Sequence, residues 1–69
     1  MITSDPTRDF EVPGELAALL DANSAAREAF DAQTHSHRRE HAIYVAEAKK
    51  PETRERRARA TVERLLGRR

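Results

Sequence analysis

Val12, Leu16, Leu19 and Leu20 stand at i, i+4, i+7 and i+8, the spacing that gathers apolar side chains into one stripe of a helix. Pro13 suits the first helical position and Glu15 meets the positive end of the helix dipole, so a helix is expected from Pro13 to about Ala22. Asn23 and Ser24 can end that helix and cap a second, over Ala25 to about Ala32, which turns Ala26, Ala29 and its anchor Phe30 inward. Gln33-Thr34-His35-Ser36 forms the next break. Thr34 or Ser36 caps a third helix that extends to Lys49, with two lysines at its negative end. Pro51 disfavours helical backbone at Lys50 and opens a fourth helix, expected from Pro51 to Leu66 with Gly67 as a left-handed stop. The pattern predicts an all-α fold, a compact bundle of about four short helices.

The faces are less even than the boundaries. At 100° per residue, His37, His41, Tyr44, Val45 and Ala48 share a face of the third helix, and that face is expected to meet the core. His41 then packs beside Tyr44 as a partly buried imidazole. Ile43 falls nearly opposite, flanked by Ala42 and Ala46, as either a lone exposed apolar residue or a weak contact for a partner. The fourth helix has an apolar stripe of Ala58, Val62, Leu65 and Leu66 only in its second half, and its first turns bury nothing obvious. Arg54 lies on the face of Ala58, Thr61 and Leu65. Its stem can follow the core while its head seeks a carboxylate such as Glu47 or Asp31. Alternatively Lys49, Lys50, Arg54 and Arg57 cradle an anion at the N-terminus of that helix.

With 69 residues and no cysteine, the chain is read as one domain held by helix packing alone, with a modest stability, since a core this small rarely supplies more than roughly 3–5 kcal/mol. Residues 1–9 are expected to be a disordered leader, 10–67 the helical domain and 68–69 a tail. The leader has neither the basic nor the apolar region of a signal peptide, and no apolar run approaches a membrane span, which suggests a cytoplasmic protein. A net charge of +1 hides a split. Residues 1–35 carry two basic residues against seven acids (2 − 7 = −5), and residues 36–69 carry eleven against five (11 − 5 = +6). Either the halves attract each other on folding or the basic half meets a polyanion.

His37-Arg38-Arg39-Glu40-His41 matches an H-x-x-E-H zinc-peptidase pattern. Two histidines one turn apart still lack a third ligand and a walled cleft, so neither metal nor other cofactor is expected. The two glycines, Gly14 and Gly67, form no phosphate loop. Phe10, Phe30 and Tyr44 are expected in the core rather than on a base-stacking surface. No enzyme activity is expected.

The run Phe10-Glu11-Val12-Pro13 with Leu16, then Phe30, then Ser36-His37-Arg38-Arg39-Glu40, and finally Ala48-Lys49-Lys50-Pro51-Glu52-Thr53-Arg54 with Arg57, resembles the YdeI or OmpD-associated family, also called bacteriocin-protection proteins. The resemblance spans about residues 10–66. It implies a compact helical module, often C-terminal to a small β-rich domain, linked to protection against bacteriocins or cationic antimicrobial peptides and to an outer-membrane porin. His35, His41 and Tyr44 depart from the family's usual proline, tyrosine and tryptophan. Eleven arginines against two lysines point to a GC-rich bacterial genome, such as an actinobacterium without an outer membrane, to which the porin association would not transfer.

The leading expectation is a non-enzymatic module for protein interaction or stress protection, with a protein partner and with Arg38, Arg39, Lys49, Lys50, Thr53, Arg54 and Arg57 as candidate binding residues. The alternative is an anion- or nucleic-acid-binding module that uses Arg38, Arg39, Lys49, Lys50 and Arg56.

Overall fold

The computed structural model describes residues 10–67; the expected leader and tail lie outside the described residues. Four helices follow one another: α1 (Gly14–Ala22), α2 (Ser24–Asp31), α3 (His35–Ala46) and α4 (Pro51–Leu65). The described residues contain no strand. The all-α expectation holds.

Local chemistry sets each boundary. Pro13 sits just outside α1 as its N-cap residue, with its carbonyl accepting from the Ala17 amide at 2.9 Å. Asn23 alone separates α1 from α2. Its extended backbone breaks the first helix, and its side-chain oxygen accepts from the Ala26 amide at 3.1 Å to start the second. Thr34 does the same for α3 by accepting from the His37 amide at 3.2 Å. Gly67 has a φ of 77°, the left-handed conformation in which a Cβ would be strained, and it ends the chain of α4.

α4 is the hub of the bundle, packed against α1, α2 and α3. Leu16, Leu20, Ala26, Phe30, Val45 and Ala58 form the buried core, with Val12, Leu19, Val62, Leu65 and Leu66 packed around it. Burying each large aliphatic contributes about 1.5–3 kcal/mol, so Leu16 and Leu20 carry much of what so small a core can supply. Thr61 is buried beside them, and its hydroxyl donates to the Arg57 carbonyl at 2.9 Å within α4.

Two expectations need correction. α3 stops at Ala46 instead of Lys49, leaving Lys49 and Lys50 in the connection to α4. Its inward face is also rotated: Ala42 and Val45 are buried, His41 is half-buried, and His37 and Tyr44 are exposed. The wheel counted ring volume as apolar, whereas the helix turns its small side chains toward its neighbours and leaves the rings at the rim.

Candidate interaction surface

The last four carbonyls of a helix have no partner within it and must find donors elsewhere. In α3 every one is met. The Ile43 carbonyl accepts from the Glu47 amide at 2.9 Å and the Val45 carbonyl from the Ala48 amide at 3.2 Å. Tyr44 and Ala46 depend on α4: Arg57 Nη1 donates to the Tyr44 carbonyl at 2.8 Å, and Arg54 Nη1 donates to Ala46 at 3.1 Å and to Ala48 at 3.2 Å. α2 ends in the same manner. Arg38 Nη1 donates to the carbonyls of Asp31 at 3.1 Å and Gln33 at 2.7 Å. A cation at the negative end of a helix is favoured by the dipole as well as by the bonds themselves.

Arg54 completes its coordination with a carboxylate. Its Nε donates to Glu15 Oε2 at 3.0 Å, joining the start of α1 to the start of α4 across 39 residues of sequence. The expected acceptors, Glu47 and Asp31, are not the ones used; Asp31 Oδ2 lies 3.5 Å from Arg27 Nε instead. The Arg54 hydrogen bond, helped by the backbone amide of Glu15, holds that carboxyl below its ordinary pKa of 4.5. So the first turns of α4 do bury something. They bury the stems of Arg54 and Arg57 in place of aliphatic side chains.

The seven candidate binding residues therefore separate. Arg38, Arg54 and Arg57 have internal acceptors, whereas Lys49 and Lys50 are exposed in the α3–α4 connection and Thr53 is half-buried beside them. Arg39 is exposed on α3. Arg56, added by the anion-binding alternative, is exposed on α4 with its Nη2 3.5 Å from the Thr53 hydroxyl.

Tyr44 was expected inside and stands at this corner. It is 39% exposed and Ile43 is 36% exposed, the two large apolar side chains open to solvent among the described residues. The Arg57 guanidinium lies 4.8 Å from the centre of the Tyr44 ring, a cation–π contact that keeps the ring at the rim of the bundle. Sequence reasoning missed this pair because a lone tyrosine among alanines reads as core, and nothing local says that an arginine thirteen residues on will cover it.

His41 lies on the same side, with its ring centre 6.5 Å from that of Phe30. Burial holds its pKa below the ordinary 6.5; the positive charges of Arg64 and His37 act in the same direction, and Glu40 opposes them. Phe10 packs its ring 5.4 Å from that of His35 at the start of α3. No three of His, Cys, Asp and Glu among the described residues are grouped to hold a metal ion. On the opposite side of α4, an open groove of about 190 Å³ runs along α1, lined by Leu19, Asn23, Arg59, Val62, Glu63 and Leu66. Among the described residues no helix is long and apolar enough to cross a membrane.

The fold and this corner define a small helical module whose helices are fastened end to flank by arginines. The chain belongs to the bacteriocin-protection, YdeI or OmpD-associated family, whose model matches residues 9–67. No curated protein and no solved structure matches it significantly.

Proposed function

We propose that this chain is a non-enzymatic, cytoplasmic interaction module of its family, binding a protein partner through the α3–α4 corner. The observation that carries the reading is the exposed Ile43–Tyr44 pair with Arg57 over the ring. Aromatic and arginine side chains supply a disproportionate share of binding energy at protein interfaces. Lys49 and Lys50, exposed in the adjoining connection, add charge that can steer a partner. A role in protection against bacteriocins or antimicrobial peptides would follow from what the module binds.

The anion- or nucleic-acid-binding reading has one observation in its favour. α4 begins beside Lys49 and Lys50 with no side chain capping its N-terminus.

Affinity capture from bacterial lysate, with nuclease-treated controls, tests the choice. The comparison variant is Lys49→Glu/Lys50→Glu, because both lysines are exposed and the substitutions leave the arginine fastenings intact. A protein that is retained after nuclease and lost in the variant is the expected result. Capture abolished by nuclease or by moderate salt would transfer the assignment to polyanion binding, and capture indifferent to the variant would remove this corner from the interface.

A further inference from the structure

Thr53, Arg57, Ala60 and Arg64 follow one another at spacings of four, three and four, so they line one edge of α4, with Lys50 just before its first turn and no acid among them. The facing edge of α3 offers His37, His41 and Tyr44 at the same kind of spacing. Arg57 touches Tyr44 and α3 packs against α4, so the two edges meet in a seam along the outside of the bundle.

At the middle of the seam Arg57 is only partly used. Nη1 is bound to the Tyr44 carbonyl, while Nε and Nη2 have no acceptor among the described residues. The guanidinium is held in place by that bond and by its contact over the ring, so little side-chain freedom remains to be lost when its free edge takes a second acceptor. A planar edge with two N–H donors matches a carboxylate bidentately. The part of the Tyr44 ring that stays open to solvent offers an apolar side chain a surface to pack on.

The surrounding charges choose the class of partner. Lys50, Arg57 and Arg64 draw negative charge into the seam, but Glu40 on α3 and Glu47 just past its end are also exposed, on either side of Tyr44 in sequence. A nucleic-acid backbone, with a phosphate at every step, would meet both glutamates. A polypeptide segment can place one carboxylate at Arg57 and a neutral or basic residue at each glutamate.

We propose that the α3–α4 seam docks an acidic segment of a partner protein, seating a carboxylate on Arg57 and an adjacent apolar side chain on Tyr44. This rests on the interaction-module reading and specifies its partner.

Tyr44 is the single tyrosine and the chain has no tryptophan, so intrinsic fluorescence reports on this seam directly. The full chain would be titrated with three probes lacking aromatic residues: a blocked twelve-residue peptide of glutamate, leucine and serine, its counterpart with lysine in place of glutamate, and a twelve-residue oligothymidylate followed in the tyrosine emission band. The expected result is a saturable change with the glutamate peptide alone, weakened about tenfold by Arg57→Gln, the loss of one charge-assisted contact. Should Arg57→Gln fail to fold, Lys50→Glu/Arg64→Glu, both at exposed positions, serves in its place and is expected to weaken binding at least as much. No response to the glutamate peptide, an equal or stronger response to the oligonucleotide or the lysine peptide, or an affinity unchanged in the folded variant would overturn the proposal. A protein captured from lysate through Lys49 and Lys50 would still uphold the broader reading in that event.

Discussion

The two sides of α4 are held by opposite chemistries. Toward α1 it meets Leu16 and Leu20 with Ala58, Val62 and Leu65, apolar surfaces that need no particular partner atom. Its first turns, which meet the end of α3 and the start of α1, present Arg54 and Arg57, whose donors are directed at the carbonyls of Tyr44, Ala46 and Ala48 and at the Glu15 carboxylate. The first contact tolerates small shifts and depends on volume. The second depends on geometry, and it lets a chain with few large aliphatics close a fourth helix onto the bundle without enlarging the core.

The comparison predicts a graded set of effects. The largest belongs to Leu16→Ala, at a side chain fully out of solvent. It should lose about 2–5 kcal/mol, enough to abolish cooperative unfolding in denaturant for a domain this small. Arg54→Met keeps the aliphatic stem but removes the donors to Glu15, Ala46 and Ala48; the expected loss in the same denaturation experiment is about 1–3 kcal/mol. Glu15→Gln removes only the charge of one acceptor and leaves the bonds to Ala46 and Ala48, so its loss in the same experiment should be the smaller of the two. Were it to equal Arg54→Met, the carboxylate and not the carbonyls would dominate the contact.

Acid should act in two steps at different pH. His41 is held below its ordinary 6.5 by burial, so the unfolded chain takes up its proton first as pH falls. The stability contributed by the neutral ring is present above about 6.5 and is lost as pH drops through the lowered folded value. Glu15 is held below its ordinary 4.5 by Arg54, so its contribution is present above that pH and is lost lower still. Melting temperature followed from pH 8 to pH 3 should decline in two stages, and His41→Gln should flatten the earlier stage alone. The smallest effect is expected for Thr61→Val. Its hydroxyl bond stays within α4 and the shape is conserved, so denaturation should shift by about 0.5 kcal/mol or less.

The apolar side of this comparison was legible in the sequence, and the arginine side was not. Val12, Leu16, Leu19 and Leu20 repeat with a helical period, and Asn23, Thr34, Pro51 and Gly67 punctuate the chain by chemistry that acts within a few residues. Arginines that bond to carbonyls leave no such trace, because every residue carries a carbonyl and none advertises that it lies at a helix end. Arg54 could be placed on the core-facing stripe, yet its acceptors Glu15, Ala46 and Ala48 follow only from how α1 and α3 meet α4. The rotation of α3 has the same origin: Tyr44 stays at the rim because Arg57 covers it there. Family resemblance, carried by the blocks that contain Arg38, Arg54 and Arg57, was visible before the reason for those residues was.

Amide hydrogen exchange of the Arg54→Met variant beside the parent chain tests the arginine fastening most directly. The account predicts that protection falls over the end of α3 and the first turns of α4, while amides around Leu16, Leu20 and Ala58 retain most of theirs. Equal loss at both sites, or unchanged protection from Ala46 to Arg57, would contradict it.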